Sequence, residues 1–216
     1  MRSRLCSIIA ASLALAGCQT AAPSHYRDLA SSSVLAPNSG TNAARIPFAY
    51  GGNVDWSSYT SATVEPVVIY SGADNQFGDM SEADRKALAD YMYARFTQQL
   101  ATRFSQAPQS GPNTLRIRVT LTGAVKNTPV LGTFSRIDVA GLVYNGIQTA
   151  NDGEGSFTGA VMYAVEIYDA RSKRLLSAFV GKQFPKPSDI GASMGDLAAA
   201  KAGIDKGAED LAARLH

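Results

Sequence analysis

Between Thr114 and Thr122 the chain alternates without a break. Leu115, Ile117, Val119 and Leu121 are apolar, and Thr114, Arg116, Arg118, Thr120 and Thr122 between them are polar. A period of two sends the two sets to opposite faces of a β-strand, so this segment has one face to bury and one polar face. A single strand cannot bury a face by itself. The rest of the chain must supply partner strands and a layer that covers them.

The flanking segments provide both. Thr63 to Tyr70 is rich in Val, Ile and Tyr and reads as a strand; Pro66 cannot donate to a ladder, which predicts an edge position or a bulge. Ser81-Glu82-Ala83-Asp84 is a capping-box-like start, and Leu88, Tyr91, Met92, Phe96 and Leu100 recur at helical spacing on a helix to about Phe104. Residues 156–169 alternate through Phe157, Val161, Tyr163, Val165 and Ile167. A turn at Asp169 to Lys173 then returns the chain from Arg174 to Lys182, which predicts a hairpin. Ser193-Met194-Gly195-Asp196 is a second capping start, and Leu197, Ile204 and Leu211, with Ala208 and Leu215, form a narrow apolar stripe on a closing helix. Residues 123–154, punctuated by Gly132, Gly141 and Gly146, show no long element. The expectation is an α+β, two-layer domain in the order β-α-β-β-β-α. Its sheet is mostly antiparallel, of about four to five strands, with two helices on one face.

Composition excludes several chemistries. The two cysteines, Cys6 and Cys18, lie at the N-terminus, and the two histidines are His25 and His216. Residues 46–215 therefore hold neither type. That removes Ser-His-Asp and Cys-His catalysis and zinc sites built from His and Cys within the domain. Gly191-Ala192-Ser193-Met194-Gly195 lacks the ending of a phosphate-binding loop. No cofactor or metal is implied. The chain carries 20 Lys and Arg against 18 Asp and Glu, with no basic run, so it has no footprint for nucleic acid.

The N-terminus has a different layout. Arg2 and Arg4 precede a run of small and apolar residues from Ser7 to Ala16, ending in Leu15-Ala16-Gly17-Cys18. The run is a secretory signal, too short to span a bilayer, which needs about 20 apolar residues. Its ending resembles a bacterial lipobox. The resemblance implies cleavage between Gly17 and Cys18 and acylation of Cys18. Gln19, being other than Asp, implies by the same resemblance transfer to the outer membrane. Loss of Arg2 and Arg4 would leave acids and bases balanced. Residues 19–45 are rich in Ala, Ser, Asn and Pro, and we expect a flexible tether there. Tyr26 to Leu35 is the stretch that could form an ordered arm instead. The expected division is a signal over 1–17, an acylated tether over 18–45 and one domain over 46–216.

Beside the lipobox, four short motifs occur in order: Asp55-Trp56-Ser57-Ser58-Tyr59, Val64-Glu65-Pro66-Val67, Asn113-Thr114-Leu115-Arg116-Ile117-Arg118-Val119, and Val165-Glu166-Ile167-Tyr168-Asp169. Together they resemble the DUF3313 family of bacterial lipoproteins, over nearly all of the mature domain. The family's usual hairpin-turn glycine is absent; Ser172 and Lys173 stand there. The resemblance implies a location and an architecture, and no catalytic residue.

Candidate sites follow from parity. Arg116, Arg118 and Glu166 lie on the less apolar sides of their strands, and cross-strand pairing of Glu166 with an arginine is expected. That polar face, floored by Ala160, Met162 and Ala164, is also one that a partner can occupy. Trp56 and Tyr59 suit either a plug at one end of the core or an aromatic partner contact. Asp152 and Glu154 lie in a glycine loop that reads as a turn. We therefore expect a non-enzymatic envelope lipoprotein, anchored in the outer membrane through Cys18 and facing the periplasm, that binds or scaffolds an envelope protein. The alternatives are a carboxylate hydrolase using Asp152, Glu154 or Glu166, and a ligand or lipid carrier with 123–154 as a lid.

Overall fold

The computed structural model describes residues 21–106, 111–126, 159–185 and 195–215. Its centre is a sheet of three long strands: β6 (Thr114–Val125), β7 (Ala160–Asp169) and β8 (Leu175–Gln183). β6 pairs antiparallel with β7, and β7 with β8. The period-two segment is β6, and its apolar residues Leu115, Ile117, Val119 and Leu121 are fully buried.

Shorter strands complete an eight-stranded sheet in the order β1-β2-β8-β7-β6-β3-β5, with a further strand, β4, beside β6. β2 (Phe48–Gly51) pairs antiparallel with β8, and β1 (Ala36–Pro37) with β2. β3 (Ser61–Val64) and β4 (Val68–Ile69) both run parallel to β6, and β5 (Ser105–Gln106) runs parallel to β3. The expected strand over 63–70 is thus split, and the break falls at Pro66, which has no N–H for the ladder. Against the expected four to five strands, the described residues form eight. The additional pieces are two to four residues long, too short to show a period.

Two helices cover one face. α1 (Glu82–Leu100) is capped by Ser81, whose hydroxyl accepts from the Asp84 amide at 3.2 Å. It buries Leu88, Ala89, Met92, Phe96 and Leu100. α2 (Ala198–Arg214) starts after Leu197 with no side-chain cap, so the start expected from Ser193 is displaced; Ser193 itself lies outside the described residues. Gly203 and Gly207 let α2 close on the sheet. A Cβ at Gly203 would lie 2.9 Å from the Gln183 carbonyl oxygen, and one at Gly207 would collide with the Tyr163 phenol. Both helices share one core with the apolar faces of β6 and β7, through Phe96, Ile204, Leu211, Val119, Val161 and Val165. Among the described residues no helix is long and apolar enough to cross a membrane.

The opposite face of the sheet is also covered, and over Tyr26 to Leu35 the chain takes the ordered-arm alternative rather than the expected flexible tether. Residues 21–35 lie on that face as an arm. Tyr26, Leu29 and Leu35 are buried there against Tyr70, Ala164, Ala178 and Val180. The physical reason is on the sheet: small side chains leave a hollow that three apolar side chains fill. The folded unit therefore begins within the arm and not at residue 46. Its architecture is helices on one face of a sheet and an N-terminal arm on the other. Of the uncertain stretch 123–154, Gly123 to Val125 extend β6; residues 127–154 lie outside the described residues, as do Gly17, Cys18, Asp152 and Glu154.

The β7–β8 turn explains the missing glycine. Asp169 accepts from the Ser172 amide at 2.6 Å and hydroxyl at 2.7 Å, and the Lys173 amide donates to the Asp169 carbonyl at 2.9 Å. Lys173 sits at φ +60°, a left-handed conformation that costs a non-glycine residue about 1–2 kcal/mol. Lys173→Gly should be neutral or stabilising by up to about 1 kcal/mol, and Lys173→Val destabilising by about 1–2 kcal/mol or more. Urea denaturation of the two variants checks the order; a Val variant as stable as the Gly variant would contradict this turn.

Candidate functional site

The alternation that buries Leu115 and Ile117 turns Arg116 and Arg118 to the arm-side face. In register, Arg118 stands directly opposite Glu166, and Arg116 opposite Tyr168. The Arg118–Glu166 contact is loose, with Nη1 and Oε2 4.0 Å apart. The main carboxylate for both arginines comes from the parallel neighbour. Glu65 accepts from Arg116 Nη1 at 2.6 Å and from Arg118 Nε at 2.8 Å. Both guanidinium groups also lie over the Tyr168 ring, at 4.6 and 5.8 Å from its centroid. Glu65 directly follows β3, just before the Pro66 break, and its own amide donates to the Ile117 carbonyl at 2.9 Å. Sequence reasoning assigned Glu65 no role. Its parity with Thr63, opposite to that of Ala62 and Val64, was the signal that placed it on the arginine face.

Glu166 is 2% exposed. Its Oε1 accepts the backbone N–H of Ser31, in the arm, at 2.6 Å. No strand pattern pointed to this partner, because it lies 135 residues away in a segment with no period. Further bonds fix the start of the arm. Gln76 takes the Ser24 amide and the Tyr26 phenol on Oε1, and its Nε2 donates to the Ala22 carbonyl at 3.0 Å. Asp74 accepts from the Arg27 amide at 3.1 Å and the Tyr70 hydroxyl at 2.7 Å, and that hydroxyl oxygen accepts from the Asp28 amide at 3.1 Å. Tyr26 and Tyr70 pack edge to face, 5.3 Å between ring centroids.

Between arm and sheet lies a cleft of about 410 Å³, lined by Asp28, Leu29, Glu65, Tyr70, Arg118 and Glu166. Its electrostatics favour ions held in place. Burial works against ionisation of Glu65, but hydrogen bonds from Arg118 and Arg116 outweigh it and hold the carboxyl below the ordinary glutamate range. A carboxyl so held carries no proton at neutral pH and cannot act as a general acid there. Burial pushes the Tyr26 phenol up to about 12, and the hydrogen bonds it makes only partly offset that. Burial, then the Glu166 charge, raises Tyr168. Among the described residues no group of three or more His, Cys, Asp or Glu is placed to hold a metal ion.

Trp56 and Tyr59 belong elsewhere. Trp56 lies in a short 3-10 turn, Trp56–Ser58, its ring 6.5 Å from that of Tyr59. Both pack on the helix-side core, and the Tyr59 hydroxyl donates to Asp169 at 3.1 Å in the hairpin turn. The structure thus brings Arg116, Arg118 and Glu166 together and leaves the two aromatics packed on the helix-side core instead.

The family model described as "Protein of unknown function (DUF3313)" matches residues 25–211, starting inside the arm. No curated protein matches the chain. Among solved structures it is similar to a dodecamer of a point variant of PelC from Paraburkholderia phytofirmans. They share 10% identity over 77% of this chain and 95% of that one, with a TM-score of 0.40. A second PelC dodecamer from the same organism shares 11% identity over 76% and 94%, with a TM-score of 0.38.

The Glu65 cluster makes a signed prediction. A carboxyl with a folded pKa below its unfolded value contributes stability that is full above the unfolded value, about 4.3, and lost as pH falls through the folded one. Glu65→Gln should lower stability by about 1–3 kcal/mol at neutral pH and flatten the acid side of the stability curve. Urea midpoints from pH 7 to 3 test this; coincident curves would show that the cluster contributes nothing.

Proposed function

The chain belongs to the DUF3313 family, and from that premise we propose that it is a lipoprotein of the bacterial cell envelope. Residues 1–17 are its signal peptide, and Cys18 carries the lipid. The domain is held at the outer membrane, faces the periplasm, and binds or scaffolds another envelope protein without catalysing a reaction.

The observation that carries this reading is the Leu15-Ala16-Gly17-Cys18 ending behind a basic, then apolar, N-terminus. Beyond Cys18 the chain has no cysteine, so the thiol has no disulfide partner within the mature chain. Two or more acyl chains hold a protein to a bilayer durably, where one alone does so marginally. The non-enzymatic part is supported by the two glutamates of the cleft, both engaged: Glu65 by two arginines and Glu166 by the Ser31 amide.

Labelling with palmitate and the intact mass of the envelope-extracted protein test the anchor. The expected outcome is label on the wild type, none on Cys18→Ala, and release of that variant from the membrane fraction. Unlabelled wild type would overturn the reading. In-cell crosslinking should then capture one abundant envelope protein with wild type and lose it with Cys18→Ala; the same capture profile without the anchor would contradict an anchored adaptor.

A further inference from the structure

We propose that the lipid anchor fixes the orientation of the domain: the end of the sheet that carries Gln76 faces the bilayer, and the Asp169–Lys173 turn points away from it. This rests on the lipoprotein reading above and adds to it a face and a lipid surface.

The geometry is that of a short leash on a rigid post. Ala22 is bonded through its carbonyl to Gln76, and Ser24 and Tyr26 bond to the same side chain. Gln76 is itself part of the sheet. Its amide donates to the Thr122 carbonyl at 2.9 Å, and its carbonyl accepts from the Ala124 amide at 3.2 Å. It bridges to Gly123 so closely that a Cβ there would lie 2.7 Å from the Gln76 carbonyl oxygen. Ala22 follows Cys18 by four residues. Fully extended, that length reaches about 14 Å. Had residues 18–45 been a free coil, their mean span would be about 30 Å and the domain would tumble. The bonded arm removes that freedom.

The far end of the sheet lies well outside this reach. Val125 pairs with Ala160 at the Gln76 end and Leu115 with Asp169 at the other. The ten residues of β7 separate the two ends by about 30 Å. A leash of about 14 Å cannot bring the hairpin turn to the surface while the Gln76 end stands off. Charge does not supply the orientation. Asp28 and Asp74 lie beside Arg27 at the membrane-facing end, and Lys126 is paired with Asp84 at 2.7 Å. The tether alone sets the pose, which therefore holds on zwitterionic lipid. Trp56 and Tyr59, beside Asp169, are then presented away from the bilayer, on the side open to a periplasmic partner.

The test uses full-length lipidated protein in phosphatidylcholine vesicles containing a headgroup-attached spin-label quencher. Because the mature chain's sole cysteine is the acylated one, Ala73→Cys and Arg171→Cys each give a single thiol for a fluorophore; both positions are exposed. Quenching at position 73 should exceed that at 171 several-fold. A long Gly-Ser insertion after Thr20 should erase the difference. Equal quenching on protein whose mass confirms the lipid, or a difference that appears only with anionic lipid, would overturn the orientation alone. A mass without the lipid would overturn the lipoprotein reading and the orientation with it.

Discussion

A carboxylate sealed inside a sheet face needs partners, and the hydrogen bond from the Ser31 amide to Glu166 is the one that ties the two halves of this structure together. Uncompensated, such a buried charge costs several kcal/mol. Here the compensation runs through a series of contacts. Glu65 stands between the end of β3 and the Pro66 break, and it fixes Arg116 and Arg118. Arg118 stands opposite Glu166, and Glu166 in turn holds the arm at Ser31. With the arm in place, Tyr26, Leu29 and Leu35 fill the hollow left by Ala164 and Ala178. Tyr26 takes up φ +52° to do so, a conformation that unfavourable local energetics would deny it without its buried ring and its bond to Gln76.

This arrangement changes what the polar face of the sheet is for. Read from parity alone, Arg116, Arg118 and Glu166 over a floor of small residues describe a surface open to a partner. In the folded chain the first occupant is the chain's own N-terminal segment. What remains is a cleft whose two glutamates are already engaged, and an arm that is packed on the sheet from a few residues after Cys18. On the proposed lipoprotein reading, the arm would serve as the mounting of a domain carried near a membrane.

Legibility followed the length of the pattern. β6, β7, β8 and α1 each repeat a period often enough to be read directly, and Ser81 announced its helix through a cap that needs only local chemistry. The Arg118–Glu166 juxtaposition was readable in part: strand parity puts both on the polar sides of their strands, and only the adjacency of β6 and β7 had to be assumed. The arm from Tyr26 to Leu35 was legible only as the alternative to a tether, since its few apolar residues look too sparse for order until the hollow that receives them is known. β1, β2 and β5 are too short for any period. Glu65 was readable by parity but sat next to a proline that ended the strand pattern. The start of α2 moved because its first turn rests on packing and on no capping side chain.

Residues 21–35 are part of the fold, held by Glu166. Residue-resolved amide hydrogen exchange tests this most directly. The Ser31 amide in the wild type should be protected to a degree comparable with the strands beneath it. Glu166→Ala should speed its exchange about 10- to 150-fold, as expected for loss of a hydrogen bond to a charged group, while Val119 and Val165 stay protected. Wild-type amides from Tyr26 to Leu35 that exchange at the rate of an unstructured chain would contradict it.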